Sequence, residues 1–159
     1  MEAGARVTLV DAGGIEVDPS WDVIAQHHDA GTTIWLDLQA PADEDIERLG
    51  ELFSFHRLAI DDSRRFSQRA KLVVYGDHAF VVAFAANVDS EHDRTEVHCY
   101  YRPGVVVTVH RDPCPAIEEW LAKGFDHEFD APGLFLLYRL LDSLASSFPP
   151  VLDLSLIHI

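Results

Sequence analysis

The chain has 159 residues, a length that predicts one domain able to bury about 70% of the surface of its unfolded state. Its 12 basic and 27 acidic residues give a net charge of −15, which argues against nucleic acids and anionic lipid surfaces as partners. Two cysteines do not make a disulfide framework, and no charged start followed by an apolar stretch predicts a signal peptide. This composition favours a reducing cytoplasm.

The first half of the chain predicts three strands and two helices. The predicted strands are 6–10, 15–17 and 32–38; the predicted helices are 21–28 and a longer one that opens at Pro41. Ser20 is a suitable side-chain cap for the first helix. The second helix carries acids in its first turn, where they interact favourably with the helix dipole. Its apolar stripe consists of Ile46, Leu49, Leu52 and Phe53.

Residues 55–71, FHRLAIDDSRRFSQRAK, contain the most informative feature, a short helical turn that ends in two adjacent acids. Leu58, Ala59 and Ile60 are predicted to pack, which places Asp61 and Asp62 at the polar rim. Adjacent like charges cost energy unless a cation or a basic side chain lies near them. Hard divalent cations such as Mg²⁺ prefer oxygen ligands and often use only one or two carboxylates. Asp62 and Asp61 are therefore the predicted metal ligands.

The alternative for this turn is an exposed acidic surface whose charge is neutralised by Arg64 or Arg65.

The second half predicts two hairpins and two helices. The hairpins comprise strands 71–75 and 78–87 around Gly76-Asp77, and strands 95–101 and 105–110 around a Pro-Gly turn; the helices are 113–123 and 133–148. VVVTV, apolar on both faces, indicates a central strand. The predicted fold is α/β (α+β), a three-layer αβα arrangement with a mixed, largely antiparallel sheet flanked by helices.

Enzyme and zinc interpretations find little support in the sequence. It contains no Gly-x-Ser-x-Gly, phosphate-binding glycine loop or HExxH motif, and no enzyme activity is predicted. His98 and Cys99 are neighbours on a strand and so point to opposite faces, which does not suit one zinc ion. His56 and His110 are interpreted as packing or hydrogen-bonding residues. Cys114, between prolines near a helix start, is interpreted as an ordinary surface cysteine, with a partly activated thiol as the alternative.

Five segments in a fixed order carry a family resemblance. They are IWLDLQAP, ERLGELFSFHRLAIDD, QRAKLVVYGDHAFVVAF, VVVTVHR and LLYRLLDSL. Together, over residues 34–152, they resemble the cytoplasmic N-terminal domain of CorA-like magnesium and divalent-cation transporters, in the CorA/ZntB superfamily. The order of the set is specific, whereas no single segment is. Arg57 and Ala70 stand where the family usually has prolines.

The resemblance implies a regulatory domain that senses divalent cations at the cytoplasmic face of the cell membrane, in a homopentamer. The acid at the Asp62 position would help bind a weak, regulatory Mg²⁺ between neighbouring subunits, with Asp61 as the adjacent acid. The alternatives are a zinc-transporting ZntB-like member and a stand-alone metal-binding domain or enzyme. The pore signature Gly-Met-Asn is not found in the sequence, and no stretch reaches the roughly 20 apolar residues that cross a bilayer. A fragment without its pore is therefore expected.

The last six residues, LSLIHI, depart from the family pattern and resemble translated sequencing-adapter DNA. We therefore expect one native domain over residues 1–153 and a non-native tail over 154–159.

Overall fold

The computed structural model describes residues 4–90, 92–125 and 133–148. The strands are β1 Arg6–Asp11, β2 Gly14–Val17, β3 Ile34–Gln39, β4 Lys71–Val74, β5 Ala79–Ala86, β6 Arg94–Arg102 and β7 Val105–His110. The helices are α1 Trp21–Asp29, α2 Asp43–Phe53, α3 Arg57–Ser63, α4 Pro115–Lys123 and α5 Leu134–Ser146. Every element predicted from the sequence is present, with ends shifted by one or two residues. The predicted tail over 154–159 lies outside the described residues.

One seven-stranded sheet forms the middle layer, in the order β2-β1-β3-β7-β6-β5-β4. Only β3 and β7 pair in parallel, with Leu36 opposite Val107. All other neighbouring strands are antiparallel, and they include the two predicted hairpins, β4-β5 and β6-β7. β7 is the middle strand, as its two apolar faces predicted. The mixed, largely antiparallel sheet is confirmed.

Helices cover both faces of this sheet. α1, α2 and α3 lie on the first face, where the buried residues include Ile24, Leu49, Ile60, Leu36 and Tyr100. α4 and α5 lie on the second, where they include Ile117, Leu140, Trp35, Val106 and Cys99. The alternation of side chains along a strand separates these two sets, since neighbouring residues point to opposite faces. The predicted three-layer αβα fold is confirmed.

The second face holds a buried ion pair between the two parallel strands. Asp37 and His110 are each 1% exposed, and His110 Nε2 lies 3.0 Å from Asp37 Oδ1. The Thr108 hydroxyl donates to the same carboxylate oxygen and accepts from Trp35 Nε1 at 2.9 Å. His110 Nδ1 lies 2.7 Å from the Asp112 carbonyl. Both ring nitrogens of His110 therefore face acceptors, and the predicted hydrogen-bonding role of this residue is confirmed.

The connection between α2 and α3 is short and fixed by hydrogen bonds. Ser54 ends α2 in the left-handed region with φ 56°, a conformation that commonly terminates helices. His56 then caps the first turn of α3 through its side chain. The Arg102 guanidinium donates to the Phe53 carbonyl, and so ties this corner to the end of β6. These contacts set the position of α3 on the sheet.

The surface interpretation of Cys114 is wrong. Cys114 and Cys99 are both free thiols and fully buried. Burial raises the pKa of Cys99 to about 12 and that of Cys114 to about 11. Both thiols are therefore protonated at neutral pH and behave as small core residues.

Candidate metal centre

α3 carries the two acids at its exposed edge. Ala59 and Ile60 are buried in the first core, at 0% and 1% exposure. Leu58, predicted to pack, is instead 60% exposed, because this two-turn helix buries only one face. The side chains of Asp61 and Asp62 are 38% and 19% exposed. Their predicted position at the polar rim is confirmed, while their role as metal ligands stays a prediction.

The start of α3 is held by two histidines. His56 Nδ1 accepts a hydrogen bond from the Leu58 backbone N–H at 3.1 Å, and its ring stacks on Tyr75 with centroids 4.3 Å apart. His78 Nε2 accepts from the backbone N–H of His56 at 2.9 Å, so Nδ1 carries the proton and donates to Asp77 at 2.6 Å. The predicted structural role of His56 is confirmed.

Asp62 pairs with the lysine that opens β4. Asp62 Oδ2 lies 2.6 Å from Lys71 Nζ, and the two side chains are 19% and 34% exposed. Among the described residues, this ammonium group is the only ion-pair partner of Asp62. A half-buried carboxylate with one cationic partner loses much of its solvation, so the position strongly favours a cation beside it.

Asp61 belongs to a different and more exposed network. The Arg57 guanidinium lies 2.8 Å from Asp61 Oδ1 and reaches both carboxylate oxygens of Glu47, at 2.5 and 2.7 Å. Arg64 contacts Glu47 at 3.0 Å and Asp43 at 3.4 Å. Hydrogen bonds from Arg57 lower the pKa of Glu47 below its ordinary value. Two arginines thus bridge three carboxylates.

The adjacent acids do not converge on one ion. Consecutive residues of a helix point about 100° apart, and Asp61 and Asp62 here face different cations. Their partners are the arginine one turn earlier and the lysine on β4, rather than the predicted Arg64 or Arg65. No group of three His, Cys, Asp or Glu side chains suited to a metal lies within residues 4–90, 92–125 and 133–148. A cation at Asp62 needs further ligands from water or another chain.

Beneath Asp62, a buried polar network joins α3 to β6. Ser63, 1% exposed, lies 2.5 Å from the Tyr100 hydroxyl and 3.0 Å from His98 Nδ1. Tyr100 also donates to the Ala59 carbonyl at 2.9 Å. His98 Nε2 lies 2.6 Å from Glu96 Oε2. Ser63, His98 and Glu96 are of the types found in hydrolase triads, but the serine is buried and no substrate can reach it.

Glu96 extends this network to the loop after α3. Its Oε1 accepts the backbone N–H groups of Ser67 at 2.9 Å and Gln68 at 3.1 Å. Burial lowers the pKa of His98 despite the neighbouring Glu96. The neutral ring donates from Nε2 to Glu96 and accepts the Ser63 hydroxyl at Nδ1, and the Tyr100 hydroxyl hydrogen is shared between Ser63 Oγ and the Ala59 carbonyl. The loop that separates Asp62 from Lys71 is thereby fixed to the sheet.

The sequence interpretation missed both cationic partners of the acids. Arg57 and Asp61 are four residues apart on one helix, a spacing that favours ion pairs and was available as a signal. Lys71 reaches Asp62 across a loop, so no local periodicity indicates that pair.

Comparison with known proteins identifies the family. The family model described as CorA-like Mg²⁺ transporter protein matches residues 30–155. The chain belongs to the CorA-like transporter family. Its family is one of transporters, and none of the described helices is both long and apolar enough to span a bilayer.

CorA-like relatives share sequence over most of this chain. YfjQ of Bacillus subtilis (strain 168), whose name assigns it provisionally to metal ion transport, is 32% identical over 120 residues. The match covers 74% of this chain and 37% of YfjQ. The chain therefore spans well under half the length of this relative.

Solved CorA-like structures share the fold. The soluble domain of CorA from Methanocaldococcus jannaschii has a TM-score of 0.68 at 20% identity, over 92% of this chain and 58% of that one. The ZntB cytoplasmic domain from Vibrio parahaemolyticus RIMD 2210633 has a TM-score of 0.68 at 15% identity, over 94% and 62%. The CorA soluble domain and the ZntB cytoplasmic domain thus both have this fold.

Proposed function

We propose that the chain is the ion-sensing, cytosolic domain of a CorA-like magnesium transporter, a regulatory part of a larger membrane protein. The observation that carries this proposal is the Asp62–Lys71 pair, because it places a half-buried carboxylate next to a replaceable cation. Family membership supplies the transport context.

In this proposal, Mg²⁺ competes with the Lys71 ammonium for the Asp62 carboxylate. The Lys71 side chain is 34% exposed, so its ammonium group has room to turn into solvent when it is displaced. Among the described residues, Asp62 is the one carboxylate that pairs with Lys71, and Mg²⁺ retains several waters when it binds so few protein ligands. Weak binding follows for a single chain, and a carboxylate from a neighbouring subunit would complete the site.

The regulatory effect follows from differential binding. If Mg²⁺ bridges Asp62 to a neighbouring subunit of a homopentamer, it stabilises the arrangement in which those subunits are close. A ligand shifts such an equilibrium by its difference in affinity for the two arrangements. High cytosolic Mg²⁺ would then favour the closed pore, and loss of the ion would release the subunits.

Zinc is the second candidate ion, because the ZntB cytoplasmic domain has the same fold. The chemistry at Asp62 favours magnesium. Its one ion-pairing group is a carboxylate, whereas zinc prefers histidine nitrogen and cysteine sulfur.

Two neighbouring substitutions in the full-length protein test the proposal. Asp62→Asn should weaken protection of the cytosolic domain by Mg²⁺ against limited proteolysis, since it removes the proposed ligand. Asp61→Asn is the matched control, because it makes the same chemical change one residue away, in the arginine network. It should have a smaller effect. Equal effects of both substitutions, or none from Asp62→Asn, would reject Asp62 as the site.

A further inference from the structure

Several arginines have no acidic partner, although the chain carries 27 acidic residues. Ion pairs within the described residues involve Arg6, Arg57, Arg64, Lys71, Arg102 and Lys123. The basic side chains without such a pair are Arg48, Arg65, Arg69, Arg94, Arg111 and Arg139. In a chain with a charge of −15, unpaired guanidinium groups gathered in one place indicate a site for an anion.

Arg94 and Arg111 line the same pocket. Arg94 is the first residue of β6, and Arg111 directly follows β7. The pocket has a volume of about 420 Å³ and is also lined by residues 66–68, the loop that Glu96 holds. That volume lies in the range of small-molecule sites.

Aromatic rings hold both guanidinium groups in place. The Arg94 guanidinium carbon lies 4.1 Å from the centroid of Phe84, and that of Arg111 lies 4.7 Å from the centroid of Phe66. Phe66 is itself stacked on His98 with centroids 4.3 Å apart. Stacking on a ring uses the face of a guanidinium and leaves its N–H edge available. Among the described residues, the one polar contact of these two groups is a 3.2 Å hydrogen bond from Arg111 to the Arg64 carbonyl.

The acids that line the pocket, Glu96 and Asp112, form no ion pair with these arginines among the described residues. Glu96 uses one oxygen for two backbone N–H groups and the other for His98. Asp112 forms no ion pair with either arginine within the described ranges, and its backbone carbonyl accepts from His110. The pocket thus combines two guanidinium groups with two carboxylates, and neither carboxylate forms an ion pair with either guanidinium within the described ranges.

We propose that the Arg94–Arg111 pocket binds the phosphate group of a small molecule, either inorganic phosphate or a phosphate monoester. Two guanidinium groups offer paired N–H donors, the geometry that suits tetrahedral oxyanions. The net negative charge of the chain does not prevent this binding. Exposed charges more than about 8 Å away are screened at physiological salt, and within the pocket the two arginines match the charge of the two lining carboxylates, Glu96 and Asp112. Residues 66–68, which line this pocket, belong to the loop between Asp62 and Lys71.

Titration of the 159-residue chain with inorganic phosphate and with glycerol phosphate tests the proposal, at constant ionic strength held with sodium chloride. Calorimetry should show saturable binding of at least one of the two, and their relative affinities distinguish the free ion from the monoester. Arg94→Gln and Arg111→Gln should each weaken binding about tenfold, as expected for lost hydrogen bonds to a charged group. Phe84→Leu keeps the charge but removes the ring under Arg94, and should weaken binding several-fold.

Arg48→Gln is the matched control, because Arg48 is an exposed and unpaired arginine on α2, outside this pocket. It should leave the affinity within about twofold, since a distant exposed charge is screened. Circular dichroism establishes that each variant is folded before titration. Absence of saturable binding to the unmodified chain would overturn the proposal. An equal loss in Arg48→Gln would also overturn it, since it would show only a general effect of net charge.

Discussion

His98 and His110 lie on neighbouring strands, on opposite faces of the sheet, and their partners give them opposite charge states. His98 has one carboxylate and one hydroxyl partner, and the hydroxyl of Ser63 can itself donate. His110 has a carboxylate and a backbone carbonyl, which can only accept. The pKa of His98 is lowered, mainly by burial. That of His110 is raised, because the Asp37 charge and the hydrogen bonds outweigh burial.

The two clusters show that burial alone does not set the charge of a histidine. A second acceptor fixes a second proton on His110, and the ring becomes half of an ion pair sealed in the core. A hydroxyl partner leaves His98 neutral, and its network continues outward to α3 and the loop beside Asp62. The Asp37–His110 pair thus stabilises the core, whereas the His98 network positions the candidate site.

Breaking the buried Asp37–His110 ion pair should have the largest effect on stability. Asp37→Asn leaves the buried imidazolium without its counter-charge and should lower the free energy of unfolding by about 3 kcal/mol. Glu96→Gln makes the same carboxylate-to-amide change beside His98. Because His98 is neutral, no buried cation loses its counter-charge, and the free energy of unfolding should fall by only about 1 kcal/mol. Urea unfolding of both variants measures the difference. A larger cost for Glu96→Gln would contradict the assigned charge states.

The pH dependence of unfolding sharpens the same comparison. Because the folded pKa of His110 is raised, its contribution is complete below the unfolded pKa of about 6.5 and is lost as pH rises through the folded pKa. The folded pKa of His98 is lowered, so its contribution is complete above about pH 6.5 and is lost as pH falls toward the folded pKa.

Two variants separate these contributions in chemical denaturation between pH 5 and pH 9. His110→Gln should reduce the loss of stability as pH rises. His98→Gln should reduce the loss of stability as pH falls. If either variant changed the slope on the other side of neutrality, the protonation assignment would be wrong.

Deletion of the C-terminal tail, residues 154–159, tests whether the described residues account for stability. Both clusters are made of residues before position 113, so deletion of residues 154–159 should change the free energy of unfolding by less than about 0.5 kcal/mol. Thermal unfolding of the two chains measures this change. A fall of several degrees would mean that the tail packs on the domain and is not a dispensable addition.

Local sequence patterns predicted the strands and helices that form the site but not the ion pairs within it. The alternation of residues along β6 placed His98 and Cys99 on opposite faces, and apolar Ala59 and Ile60 placed the two acids at the rim. Asp62–Lys71 depends on how a loop returns to the sheet, which local periodicity does not specify. The sequence predicts a surface position for Cys114, yet the packing of α4 buries it. Contacts between distant segments were therefore the part that sequence patterns missed.

The central claim is that Mg²⁺ and Lys71 compete for the Asp62 carboxylate, and a Mg²⁺ titration of the full-length protein tests it most directly. The measured quantity is the Mg²⁺ concentration that gives half-maximal protection of the cytosolic domain from proteolysis. Lys71→Met keeps the apolar stem but removes the competing charge, and it should lower this concentration. Asp62→Asn removes the ligand and should raise it. Shifts in opposite directions are the predicted result; shifts in the same direction would show a shared structural defect and contradict the account.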